Sequence, residues 1–352
     1  MSAASPLLEL IDLRVEIATR HGILVPVEGV SLRIDEGEIL GVVGESGAGK
    51  SMLGSAIVGL LDPGIRVAGG EIRLDGERID GLPAAALRRI RGRRIGSIYQ
   101  DPLTALDPLY PIGAQIVETI RTHLPVTADE ARRRAVALLD EVGIPAPERR
   151  FACLPHELSG GMRQRVVIAL ALCTEPRLII ADEPTTALDV SIQAQIIDLM
   201  TRLRRERGTA FLLVSHDMGV IARAADRVAV MYSGRLAEVG PVRRVIDRPA
   251  HPYTACLMRT IPRIARRRDR LDQIEGAMPR LDAVPPGCAF HPRCPSAEAR
   301  CRVDRPEPEV LPDGAGAAAC WRAPGPAASV TASPAEAGAA VAARRPTVAR
   351  HA

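Results

Sequence analysis

One stretch decides most of what this chain can fold into: Gly44-Glu45-Ser46-Gly47-Ala48-Gly49-Lys50-Ser51. It follows the apolar run Ile39–Val43 and leads through Met52 into a helical stretch. The spacing is G-x-x-x-x-G-K-S, and strand, glycine-rich loop and helix in that order are the context in which such a loop wraps phosphate. Glycines let the backbone approach the anion, while loop amides and a helix N-terminus offer it partial positive charge. Lys50 is then placed for the β- and γ-phosphates and Ser51 for Mg2+. Gly44–Met52 is the expected nucleotide-contacting run.

A second element supports the first. Leu178–Ala181 reads as a short buried strand that ends in Asp182 and Glu183. An acid at such a strand end can hold Mg2+, and its neighbour can polarise an attacking water as general base. On its own the pair reads equally well as an exposed acidic turn; beside a phosphate loop it gains a role.

The rest of the chain fits an α/β fold. Short apolar runs with glycine-rich breaks fill Leu8 to Leu82, apart from the helix after Gly49. A helical pattern runs from Pro111 to Cys173, where Ala135, Leu138, Leu139 and Val142 keep a 3.6 period up to Gly143 and Pro145. Ile192, Ile196, Leu199, Met200 and Leu203 share another helix face, which Gly208 ends. The buried runs Leu178–Ala181, Phe211–Val214 and Val228–Met231 alternate with these helices, which predicts a parallel sheet flanked by helices. Aromatic residues are 2% of the chain, so the core must be aliphatic.

Bulk properties exclude several classes. The formal net charge is +4 over 352 residues, which argues only weakly against a dedicated nucleic-acid binder, because such domains concentrate basic charge. Arg132–Arg134 and Arg266–Arg268 read as solvated faces or linker. The start of the chain lacks a positive region followed by a long apolar run, so no export signal is expected. Apolar runs such as Val166–Cys173 and Leu178–Ala181 are broken by Thr174, Glu175, Pro176 and Arg177, short of the roughly 18–20 residues of a membrane span. Any membrane role should come through a partner. Cys153, Cys173 and Cys256 are scattered and read as buried small apolar residues. Cys288, Cys294, Cys301 and Cys320 crowd together with spacing C-x5-C-x6-C-x18-C. Zinc ribbons prefer paired C-x2-C knuckles; four thiolates on a Pro-rich loop suit a 4Fe-4S cluster. Zinc and no metal remain the other readings.

Leu158-Ser159-Gly160-Gly161-Met162 resembles the LSGGQ signature of ABC ATPases, with Met162 where Gln is usual. Other elements of that family fall in order. Gln100 resembles the Q-loop glutamine, Ala187-Leu188-Asp189 the D-loop and His216 the switch histidine. The resemblance covers Leu8 to Met258. It implies the P-loop NTPase fold of ABC ATPases: a parallel core sheet, an antiparallel β subdomain, and a helical subdomain over about 105–172. It also implies that Gln100 contacts Mg2+, that His216 senses the γ-phosphate, and that Ser159, Gly160, Gly161 and Asp189 meet nucleotide across a dimer. Two subunits would then sandwich two ATP molecules. An aromatic residue usually stacks on adenine ahead of the loop; here that position falls near His21, a poorer stacking partner or else a surface residue.

Finer resemblance points to the dipeptide/oligopeptide/nickel importer family. Gly44–Gly47, the LSGGM variant with Arg163-Gln164-Arg165, Asp101–Pro108, His251-Pro252-Tyr253-Thr254 and Pro286–Cys294 all resemble that group. The division this implies is an ATPase domain over 1–258 and a small irregular extension with the cysteines over 259–322; the Ala/Pro-rich composition of 323–352 predicts a disordered tail. Related importer ATPases resemble the cysteine pattern and are thought to carry a 4Fe-4S cluster. The implied partners are a second ABC ATPase (a heterodimer before a homodimer), two membrane permeases and a periplasmic or lipid-anchored substrate-binding protein, with the chain peripheral at the cytoplasmic face of the bacterial inner membrane. The implied activity is ATP hydrolysis coupled to peptide uptake. Nickel or another small solute is the alternative cargo; a soluble ABC ATPase acting on nucleic acid, or one that binds ATP without turnover, are the competing classes.

Overall fold

The structure is a computed structural model that describes residues 5–186, 188–259 and 274–323. Ala187, Arg266–Arg268 and the tail beyond residue 323 lie outside the described residues. The chain opens with strands β1 (Leu8–Thr19), β2 (Gly22–Ile34) and β3 (Ile39–Val43), then helix α1 (Lys50–Val58) and strands β4 (Ile65–Leu74) and β5 (Glu77–Arg78). After α2 (Ala84–Ile90) and β6 (Ile95–Ile98) come α3 (Pro102–Ala105), α4 (Ile112–His123), α5 (Ala128–Glu141), α6 (Pro147–Arg150) and α7 (Gly160–Leu172). Strand and helix then alternate through β7 (Leu178–Asp182), α8 (Val190–Arg207), β8 (Ala210–Val214), α9 (Met218–Ala224) and β9 (Arg227–Tyr232). Strand β10 (Arg235–Pro241), helices α10 (Val242–Asp247) and α11 (Pro252–Arg259), and the two-residue strands β11 (Glu309–Val310) and β12 (Ala317–Ala318) complete the order.

The main sheet runs β11-β12-β10-β9-β3-β8-β7-β6, and a smaller antiparallel sheet runs β2-β1-β4-β5. Pairing is parallel from β9 through β3, β8 and β7 to β6. The core of the sheet is parallel as expected, and β10, β12 and β11 add to its edge in antiparallel fashion. The cause is local. Ser233 and Gly234 join β9 to β10 with φ of 49° and 81°, and a two-residue turn of that kind can only return the chain beside itself.

Every second residue of the parallel strands faces a different core. Ile39 and Val43 of β3, Ile179 and Ala181 of β7, and Phe211 and Leu213 of β8 pack with Ile116, Leu139 and Ile168 of the helices. Leu40, Val42, Ile180, Leu212 and Val214 face the smaller sheet and α1 instead. Burial on both faces explains why these strands read as unbroken apolar runs. The α5 face expected from its period is buried at Ala135, Leu138 and Leu139, while Arg132–Arg134 are exposed. Gly208 caps α8 in the left-handed region. Cys173 is buried as expected, whereas Cys153 and Cys256 are only half-buried.

The C-terminal extension docks on this frame. Besides β12 pairing with β10, it places Phe290 against Tyr232 and Tyr253, with ring centroids 5.3 Å apart in both pairs. Tyr232 and Tyr253 are themselves 4.7 Å apart. In a chain with three Phe, four Tyr and one Trp, this is where aromatic packing is concentrated, and such pairs add to simple area burial. Phe290→Ala should weaken docking of the extension by about 3–5 kcal/mol. Limited proteolysis followed by mass spectrometry should then find faster cleavage within 274–323 and an unchanged cutting pattern in the sheet.

Candidate active site

The loop between β3 and α1 is pressed into shape by its neighbours. Gly49 has φ +98°, and a Cβ there would lie 2.3 Å from the Pro26 carbonyl oxygen. At Gly44 an added Cβ would lie 2.3 Å from the Met231 carbonyl oxygen. Only glycine fits at either point. The Gly234 N–H donates to the Ala48 oxygen (3.0 Å), tying the loop to the β9–β10 turn. Helix α1 starts at Lys50 without a side-chain cap, so its first amides remain available to an anion.

Lys50 is 6% exposed. Its ammonium donates to the carbonyl oxygens of Gly44 (2.9 Å) and Glu45 (3.0 Å). Burial pulls its pKa down, against the charges of Glu183, Asp182 and Glu45, which pull it up. An ammonium carries three N–H bonds, so a third is left for a phosphate oxygen.

The acids of β7 meet this loop. The Ser51 hydroxyl donates to Asp182 Oδ1 (3.1 Å). Glu183 Oε2 accepts from Gln100 Nε2 (3.2 Å) and Thr186 Oγ1 (2.9 Å), and His216 Nδ1 lies 3.1 Å from it. Glu183 has φ +47°, a left-handed conformation that costs a non-glycine residue roughly 1–2 kcal/mol. Its N–H donates to the Val214 oxygen (2.9 Å) at the end of β8, which holds the turn in place. Burial, seconded by the Glu183 charge, pushes the Asp182 carboxyl above its ordinary range, against the Ser51 hydroxyl and Lys50. Two adjacent acids, one half-buried and partly disfavoured as an anion, form a set that a divalent cation would stabilise.

Thus Lys50, Ser51, Gln100, Asp182, Glu183 and His216, drawn from four separate stretches of sequence, form one cluster. The other expected residues stand elsewhere. Met52 is half-buried against the core between the two sheets. His21 is exposed in the β1–β2 turn, its N–H donating to Thr19 Oγ1 (3.2 Å). Ser159 caps α7 by accepting from the Met162 N–H (3.3 Å). A Cβ on Gly161 would meet Ile192 Cγ2 at 2.8 Å, so the signature turn packs on the start of α8. Asp189 caps α8 by accepting from the Ile192 N–H (3.0 Å) and also takes the Ser191 hydroxyl, which lowers its pKa.

The four C-terminal cysteines come together. Cys288, Cys294, Cys301 and Cys320 line one small cavity with His251 and His291. Burial pushes the thiols of Cys288, Cys294 and Cys320 up, and neighbouring cysteines add to this at each of the three. Among the described residues no three Cys, His, Asp or Glu side chains are placed to hold a single metal ion.

Three contacts of the site have no local signal in the sequence. Thr186 reaches Glu183, the Tyr253 hydroxyl accepts the Glu45 N–H (2.9 Å) and Arg293 binds the Glu45 carboxylate. Tyr253 and Arg293 belong to stretches that stood out by resemblance, but nothing there assigned them a task.

The fold and this cluster define an ABC-type ATPase. Residues 27–186 match the family described as ABC transporter, and residues 237–301 match the one described as oligopeptide/dipeptide transporter, C-terminal region. A dimeric ATP-binding cassette solved in a post-hydrolysis state with ADP and Pi superposes with a TM-score of 0.61 at 29% identity, over 67% of this chain and 99% of that one. A putative peptide import ATP-binding protein of Brucella melitensis is 46% identical over 316 residues, covering 86% of this chain and 93% of its own length. The oligopeptide transport ATP-binding protein OppD of Mycobacterium tuberculosis is 48% identical over 305 residues, 86% of this chain; the chain spans only 50% of that relative. The chain belongs to the peptide-import family of ABC transporter ATP-binding proteins.

Asp182→Asn should stabilise the nucleotide-free protein by about 1 kcal/mol, because it removes a half-buried charge beside Glu183. The same change should abolish Mg2+-dependent ATP turnover. A thermal melt without nucleotide and a phosphate-release assay check the two halves.

Proposed function

We propose that this chain is an ATP-hydrolysing subunit that drives import of di- or oligopeptides across the bacterial cytoplasmic membrane. The observation that carries this reading is the single cluster of Lys50, Ser51, Gln100, Asp182, Glu183 and His216. Loop amides of Gly44–Ser51 and the Lys50 ammonium bind the phosphates. Ser51, Asp182 and Gln100 are the side chains that would hold Mg2+, which neutralises charge on the β- and γ-phosphates. The Glu183 carboxylate takes the proton of a water as its oxygen attacks the γ-phosphorus. The bond from that phosphorus to the β-phosphate oxygen breaks, and ADP leaves. His216, beside the same carboxylate, orients it and contacts the γ-phosphate.

Ser159, Gly160 and Gly161 form a helix N-terminus away from this cluster, and the reading gives them the nucleotide of a second subunit, as in a head-to-tail dimer. Asp189 lies at the same face, and His21 is the residue at the adenine position. The similar cassette solved with ADP and Pi is itself dimeric. A heterodimer with a related ATPase is favoured, on two membrane permeases fed by a periplasmic or lipid-anchored binding protein. No helix among the described residues is long and apolar enough to cross a membrane, so the chain would sit peripherally on the permeases. Tighter ATP binding to the closed dimer than to the open one supplies the coupling.

The cysteine cavity is proposed to hold a 4Fe-4S cluster of structural role. Four thiols on one cavity support it, and so does their chemistry: burial and neighbouring cysteines disfavour the thiolates of Cys288, Cys294 and Cys320 unless a cationic core offsets them. Iron and acid-labile sulfide analysis of anaerobically purified protein should give about four of each per chain; a folded, active, iron-free preparation refutes the assignment.

Glu183→Gln should reduce ATP hydrolysis by at least about 100-fold while ATP binding is kept, because only the proton acceptor is lost. Single-turnover phosphate release against nucleotide affinity separates the two effects. Unchanged turnover would remove Glu183 from its role.

A further inference from the structure

The phosphate loop contains a carboxylate, Glu45, in a site built to receive a polyanion. Left uncompensated, that charge would oppose the ligand. Arg293 of the C-terminal extension compensates it. Its Nη1 lies 2.9 Å from Glu45 Oε2 and its Nη2 lies 3.1 Å from Oε1, a two-point pairing. The Arg293 side chain is 7% exposed, and Nη1 also donates to the Tyr232 hydroxyl at 3.3 Å.

The guanidinium is anchored independently of the loop. Nε donates to the Glu275 oxygen (2.9 Å), and Nη2 to the oxygens of Ile274 and Gly276 (3.3 Å each). Its carbon lies 5.9 Å from the ring centres of Tyr232 and Phe290. From the other side, the Glu45 N–H is held by the Tyr253 hydroxyl, itself pinned in the aromatic cluster. A methyl of Met278 stands 3.1 Å from where a Cβ on Gly47 would be, so the extension touches the loop a second time.

We propose that Arg293 is a positioning residue for nucleotide binding: it turns the Glu45 carboxylate away from the phosphates, cancels its charge and fixes the mouth of the loop. The extension is then part of the ATP site. This inference rests on the reading of Gly44–Ser51 as that site.

The test is the affinity of the purified full chain for ATP with Mg2+, by titration calorimetry. Arg293→Ala should weaken binding about tenfold and Arg293→Lys less, since lysine keeps the charge without the fork. Adding Glu45→Gln to Arg293→Ala should bring affinity back to within about threefold of wild type, because the orphaned charge is gone. A merely structural role for Arg293 would not be repaired that way. Glu45→Gln alone should tighten binding several-fold. Unchanged affinity in Arg293→Ala, or a loss that Glu45→Gln does not relieve, overturns the inference. If Arg293→Ala does not fold, the single Glu45→Gln decides: affinity equal to or below wild type overturns it. Wild type and Lys50→Ala are the controls. A wild-type protein that binds no ATP sinks the nucleotide reading itself. Binding that Lys50→Ala abolishes and the Arg293 and Glu45 variants leave alone sinks only this inference.

Discussion

Four strands lying parallel and adjacent, β3, β8, β7 and β6, are the constraint from which the site follows. Parallel neighbours finish on the same edge of a sheet, and ligands of open α/β sheets bind outside those carboxyl ends. Ser51 and Asp182 thereby touch although 131 positions separate them, and Gln100 reaches Glu183 across 83. Neither contact needs a long or specialised loop. The hydrophobic pattern sets the pairing of the strands, and the pairing sets where the polar residues at their ends must meet.

The same order explains what could be read in the sequence. The phosphate loop, Asp182 and Glu183, and His216 each follow an unbroken apolar run, so both their existence and their shared edge were legible. The period of α5 and the Gly208 stop of α8 were equally plain. The antiparallel edge was not, because it hangs on the backbone of two residues, Ser233 and Gly234, rather than on any pattern along the strands. The grip of Arg293 on Glu45 spans 248 positions. Both residues lie in stretches that stood out, but nothing local marks them as partners of one another. His21 illustrates the opposite limit: counting back from the loop pointed to it, and it stands in an exposed turn.

Charge is distributed in the site with some economy. A buried cation, Lys50, lies among three acids. Asp182 is resisted by burial and by its neighbour, Glu183 is held in a left-handed turn by backbone and side-chain bonds, and Glu45 is tied up by Arg293. Each acid is thus controlled by a different device, which allows three carboxylates to surround a phosphate-binding loop without cancelling its attraction for an anion. Sites of this kind are commonly less stable than they would be without their function.

The short strands of the extension have a consequence outside the ATP site. Without β12, strand β10 would end the main sheet with a row of unpaired amides and carbonyls. Such a border invites pairing with another chain. β12 occupies it through Glu238–Ala318 and Val239–Ala317, and β11 then forms the new border with only two residues. A two-residue rim is too short to template a foreign strand. The extension is in this sense a hem, which finishes the sheet and keeps the subunit from sticking to others along that edge.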